Sequence, residues 1–215
     1  ISGADGTQLW SRTWPAPLGS AVYDAYIDDE AVFIGGRERT SPSSERSFIE
    51  KVNLSTGKTL WRADIPNWSM GSSPQPPFNV TEQGDVVVKA SQFDWPYQNL
   101  AKLDGLTGGL LWASNEGWCC IYPYSPLLID ESDAIIVLGG GEGPFALGND
   151  GHVLWELSPD PAGLTLIDGL LVSGGSVVAS GFVHPAVEQS IVISVTGSGF
   201  GWRRTFGRNV TVRGL

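Results

Sequence analysis

The most pointed chemistry in this 215-residue sequence belongs to two adjacent cysteines, Cys119 and Cys120. Neighbouring thiols can close on each other only through an eight-membered ring that strains the peptide unit between them. Free thiols, and bridges to other parts of a longer chain, stay open beside that reading. Carboxylates cluster at Asp28-Asp29-Glu30 and at Asp130-Glu131-Asp133, as hard oxygens do around Ca2+. Both sets fall in turn-like stretches, where Asp is favoured for its own backbone hydrogen bonds, so solvated turns are expected. His152 and His184 stand 32 residues apart with no acid–Ser pattern, and no catalytic role is expected of either. Two His and one Cys pair do not make the spaced four-ligand sets of zinc, so no metal site is expected. The run Gly139-Gly140-Gly141-Glu142-Gly143 lies between two apolar stretches, without a helix N-terminus for a phosphate. It reads as a bulge or a tight loop.

Four N-x-S/T sequons follow a different chemistry: Asn53-Leu54-Ser55, Asn67-Trp68-Ser69, Asn79-Val80-Thr81 and Asn209-Val210-Thr211. Asn53 and Asn79 fall on expected turns, where a glycan could project without displacing core residues. Asn67 lies in a Pro/Ser-rich crossing, and Asn209 in an apolar strand-like run, so occupancy is expected in that order. With the Cys pair, the sequons predict an extracellular or secretory-pathway glycoprotein; idle sequons on a bacterial periplasmic or surface protein are the competing expectation. Trp14, Trp68, Trp95 and Trp118 lie outside the repeat described below. Trp95 and Trp118 fall on loops, where aromatics serve recognition or plug a channel.

Composition narrows the classes. Hydrophobic residues make up 41% of the chain and the formal charge is −10, a globular balance rather than a disordered one. The acidic excess argues against nucleic acid and anionic membranes as partners. No apolar run approaches the ~20 residues of a membrane span. The first residues, ISGADGTQLW, lack the basic and apolar regions of a signal peptide.

The elements that must carry these residues repeat. Five segments end a Gly-containing turn with a Trp: GADGTQLW, NLSTGKTLW, DGLTGGLLW, GNDGHVLW and SVTGSGFGW. Their indoles, Trp10, Trp61, Trp112, Trp155 and Trp202, stand at intervals of 51, 51, 43 and 47 residues. Each interval holds a second mark, an apolar stub, an acidic or Gly-rich turn and a β-branched run: YIDDEAVFIGG, VTEQGDVVVKA, LIDESDAIIVLGG and LIDGLLVSGG. These read as tight hairpins. The strands SSPQPPFNV, VVVKAS, QNLAKLD and LLWAS make up the second interval, and no helical periodicity competes. Four short strands per repeat of this length are the blades of an all-β β-propeller. The expected blades are 13–63, 64–114, 115–157 and 158–204, one propeller segment with partial blades at both ends. At roughly 48 residues per blade, four blades close only as a minimal propeller; the ragged ends and the missing initiator Met predict a piece of a longer polypeptide.

The turn-TG-x-x-x-W pattern of VNLSTGKTLW and LDGLTGGLLW resembles the pyrroloquinoline quinone (PQQ)-type propeller repeat, shared by quinoprotein alcohol dehydrogenases and by non-enzymatic propellers. The resemblance spans the whole chain and is degenerate at Trp155 and Trp202. It implies seven or eight blades, with each Trp docked flat between neighbours. It also implies that Cys119-Cys120, seven residues after Trp112, stands where an adjacent-Cys ring stacks on the quinone in the dehydrogenases. The family's following Asp and Asn-Arg-Gly are replaced by Ile121-Tyr122-Pro123-Tyr124, so PQQ with Ca2+ enters only as an alternative. The leading expectation is a non-catalytic extracellular module of a larger glycoprotein, without cofactor, that binds other protein chains or glycans. A PQQ-dependent dehydrogenase fragment and a lectin-like or polysaccharide-active propeller are the alternatives.

Overall fold

The computed structural model describes residues 7–14, 20–41, 44–65, 68–69, 78–92, 98–113, 127–138, 143–158, 164–172, 176–183 and 189–205. Among them every regular element is a strand. The first sheet contains β1 (Ser20–Ile27), β2 (Ala31–Ser41), β3 (Ser44–Asn53) and β4 (Thr59–Ile65). The second contains β5 (Trp68–Ser69), β6 (Phe78–Val80), β7 (Val86–Gln92), β8 (Gln98–Leu103) and β9 (Leu110–Ala113). The third contains β10 (Leu127–Ile129), β11 (Ile135–Val137), β12 (Phe145–Leu147) and β13 (Val153–Glu156). The fourth contains β14 (Leu164–Val172), β15 (Ser176–Val183), β16 (Gln189–Thr196) and β17 (Gly199–Thr205). Each sheet is an antiparallel meander in chain order, and Trp61, Trp112, Trp155 and Trp202 lie in its last, edge strand. The chain is therefore all-β and built of four-stranded blades.

Turn chemistry explains where the meanders reverse. Asp28 Oδ1 accepts from the amides of Glu30 and Ala31, and Asp130 Oδ1 accepts from those of Ser132 and Ala134. The turns before the Trp strands match residue for residue. Asn53 Oδ1 accepts from Thr56 N at 2.9 Å and Asp104 Oδ1 from Thr107 N at 2.7 Å. Two expectations shift. The first strand of the second blade is described in two pieces, β5 and β6, which both pair with β7. The fourth hairpin does not reverse at Asp168-Gly169. There β14 runs on through a bulge between Leu166 and Asp168 and stays paired with β15 as far as Val172 opposite Ser176. The bulge absorbs the extra residue within the ladder, so pairing continues past Asp168-Gly169.

Alternation along the strands buries a layer between each pair of blades rather than one central core. Phe33, Ile49, Val86 and Val88 pack between the first and second blades. Val87, Leu127, Ile135 and Phe145 pack between the second and third, and Ile136, Leu138, Val177 and Ile193 between the third and fourth. A buried Val, Leu, Ile or Phe contributes about 1.5–3 kcal/mol, so each layer holds its two sheets together.

A Trp closes each layer at its outer end. Trp10 Nε1 donates to Leu54 O at 2.7 Å, Trp61 Nε1 to Gly105 O at 2.9 Å and Trp112 Nε1 to Asn149 O at 2.9 Å. Each acceptor lies in the turn of the following blade. Each ring also covers that turn's glycine: a Cβ on Gly57, Gly108 or Gly151 would meet Trp10, Trp61 or Trp112 within 2.9 Å, and Trp155 stands in the same way over Gly197. Trp202 differs, being 57% exposed against 7% for Trp61. A ladder register shift beside Trp61, Trp112 and Trp155 aims each ring across its seam. Lys51 pairs Trp61 and Val52 pairs Thr59, which leaves Leu60 as the extra residue; Leu111 and Leu154 are left over in the same way.

Gly108→Ala is expected to cost about 3 kcal/mol in denaturant unfolding, since φ is +73° and the methyl would strike the indole. Gly84→Ala, at φ +85° with open space around it, should cost only about 1 kcal/mol. Equal losses would mean that glycine serves the turn alone and is not a seat for the indole.

Candidate functional site

Charged side chains converge on the seams beside Trp10, Trp61 and Trp112. Lys51, the cross-strand partner of Trp61, donates Nζ to Gly105 O at 3.0 Å, the same carbonyl that accepts from Trp61. Lys102 stands opposite Trp112; its ammonium, only 2% exposed, pairs with Asp85 Oδ2 at 2.8 Å and donates to Asn149 Oδ1. Glu50, 1% exposed, accepts from Trp14 Nε1 at 2.9 Å, from Thr59 Oγ1 at 2.7 Å and from Arg12. Burying a charge is less costly when it is paired and hydrogen-bonded, as Glu50 and Lys102 are, while the half-buried Lys51 is held by a carbonyl. Sequence reading passed over these residues, although a Lys ten residues before Trp61 and again before Trp112 was a repeated signal.

Arg62 forks onto Glu38 at 3.0 and 2.8 Å, holds Asp64 at 2.8 Å and lies 4.2 Å above the Phe48 ring. Burial, the largest influence, disfavours its charge, yet the two carboxylates together hold its pKa above the ordinary value. Asp104 titrates below the usual carboxylate range, chiefly because its oxygen accepts from the Thr107 hydroxyl and then from backbone amides.

The residues singled out for chemistry are not brought together. Asp28 and Asp130 cap their own turns, while Asp133, buried at φ +58°, accepts from the Glu82 amide of the preceding blade at 3.1 Å. No group of three metal-ligating side chains forms among the described residues. His152 is exposed on the turn after Asp150. Cys119, Cys120, Trp95, Trp118, His184, Asn67, Asn209 and the glycines from Gly139 to Gly141 lie outside the described residues, and only the backbone of Trp68 is described. The residues on which the PQQ alternative rests thus lie outside the described ones. Asn53 uses only Oδ1, accepting from Ser55 and Thr56. Asn79 departs from its expected projection off the rim: in β6 it is half-buried and donates Nδ2 to Leu127 O of the next blade at 3.2 Å. The turn runs from Thr81 to Asp85, where the sequence places it, but Asn79 lies in the strand before it and its side chain turns to the seam.

Four-stranded blades locked Trp over Gly define a PQQ-like propeller-repeat protein. Residues 1–182 match the family described as outer membrane protein assembly factor BamB, and the chain belongs to that family. No curated protein matches it. Among solved structures, quinohemoprotein alcohol dehydrogenase ADHIIG from Pseudomonas putida HK5 is similar at 13% identity and a TM-score of 0.46, over 84% of this chain and 34% of that one. The chain thus spans about a third of that protein's length.

Lys89 is 4% exposed in β7. Its position alternates with Val88, so it faces the third blade with Val87, and desolvation lowers its pKa from 10.5 to about 8. Below pH 8 both folded and unfolded chains carry the proton and the cost of the buried charge is complete. Between about pH 8 and 10.5 the unfolded chain binds more protons, so stability rises with pH. Lys89→Met should remove that rise and be more stable at pH 7 by about 3 kcal/mol, as pH-dependent urea melts of both proteins would measure. Parallel stability–pH curves would contradict the burial of a charged Lys89.

Proposed function

We propose that the chain is a non-catalytic extracellular propeller module of a larger glycoprotein, and that it acts by binding other protein chains or glycans. One observation carries the binding part. The extra residue beside each docking Trp is a large apolar side chain turned to solvent: Leu60 is 54% exposed, Leu111 50% and Leu154 58%, with Leu9 at 51% in the same place before Trp10. Singly exposed leucines are ordinary, but here each of the first three blades presents one at the same repeat position, while the fourth has Gly201 there. Leu110 and Val153 widen the strip. Meanwhile the charged residues of the seams and turns are engaged in holding the blades. The family's description as an assembly factor accords with a protein-binding role. The glycoprotein part is supported by Asn53, whose Nδ2 is not engaged in its turn.

The triple variant Leu60→Asp, Leu111→Asp, Leu154→Asp should unfold within about 1.5 kcal/mol of the parent, since exposed positions contribute little. It should bind a partner recovered by cross-linking in the native source at least about tenfold more weakly in titration. Undiminished binding would exclude the rim.

For the sugar, intact mass of the natively produced chain should fall on amidase treatment, and Asn53→Gln should remove most of that difference, whereas Asn79→Gln should not. An unchanged mass would remove the glycoprotein reading and leave the rim reading standing.

A further inference from the structure

The blades repeat, so their seams can be compared position by position. At the first seam, the space outside the Trp10–Gly57 lock is filled. Arg12 reaches Glu50 and Thr59, and the Trp14 indole stacks on Phe48 with ring centroids 6.2 Å apart. At the second seam, the residues two and four places after the docking Trp61 are Ala63 and Ile65 instead of Arg12 and Trp14. The ladder places Ala101 where Glu50 stands, each next to the seam lysine, and Leu110 where Thr59 stands. At the third seam Phe145 occupies the place of Ala101. The second seam thus has alanine at two of these places, Ala63 and Ala101. It holds a cavity of about 400 Å³ walled by Ala63, Ile65, Ala101, Leu103, Leu110 and Ala113.

We infer that this cavity is a binding site for a neutral, planar aromatic molecule of about two fused rings. Its volume falls in the range of small-molecule sites, and its walls are aliphatic. The neighbouring seam seats an indole in the equivalent place, which gives the shape of the occupant. The one carboxylate in the lining, Asp64, is already held by Arg62 Nε at 2.8 Å, so the site carries no surplus charge for a cation to answer. Continuity with the Trp61–Gly108 lock makes the inner wall rigid, so the site is pre-formed.

Titrating the full chain with indole, followed by methyl NMR, tests this. Saturable shifts are expected at Ala63, Ile65, Ala101, Leu103, Leu110 and Ala113, while the methyls of Leu147 and Val195 stay still. Ala101→Phe, which copies Phe145 of the third blade, should fill the site and weaken indole by at least about tenfold without lowering Tm. Should that variant fail to fold, Ala101→Leu serves the same reading with less added volume. No saturable shift up to the solubility of indole, or equal affinity in the filled variant, overturns the inference. Tighter binding of tryptamine than of indole would overturn the neutral character of the ligand.

Discussion

An indole laid over a glycine of the next blade is the constraint on which the other features depend. The ring needs a flat seat and one acceptor for its N–H, and the turn provides both. The seat demands glycine because any Cβ at Gly57 or Gly108 would occupy the ring's own volume. It also demands that the ring leave its edge strand at an angle, which the bulge beside Trp61, Trp112 and Trp155 supplies. The bulge then fixes where Leu60, Leu111 and Leu154 point. The outer rim is thus a by-product of how the blades are locked, available for recognition without disturbing the core.

Electrostatics follow the same geometry. The carbonyl that receives Trp61 has a second lone pair, and Lys51 takes it. Lys102, Asp85 and Asn149 make a fuller version one blade later, and Ala146 ends the series opposite Trp155. As the polar partners fade, aliphatic contact carries more of the seam; Ile136, Leu138, Val177 and Ile193 do so between the third and fourth blades. Lys89, buried in β7, carries a desolvation cost that lowers its pKa.

The BamB-family match names a class of repeat, and the repeat by itself performs no chemistry. What distinguishes one seam from the next is which side chains stand outside the Trp. The first is filled by Arg12, Glu50, Thr59 and Trp14, and the second is left hollow by alanines. Specific function in such a chain resides in these departures from the repeat.

Sequence alone determined the all-β class, the four meanders and the edge position of each Trp, because period-two patterning, Asx turns and a recurring Trp are local signals. It also exposed Asp28 and Asp130 as turn residues. It misplaced the fourth reversal, since Asp168-Gly169 is a good turn locally and only pairing with β15 carries the strand past it. It missed the direction of Asn79 and the roles of Glu50, Lys51 and Lys102, because their partners lie 9 to 54 residues away on other strands and turns. Which turn carbonyl receives which indole, which carboxylate is buried with a cation, and which seam stays hollow are settled by contacts between blades. No local pattern encodes them, since each depends on what the neighbouring repeat places opposite.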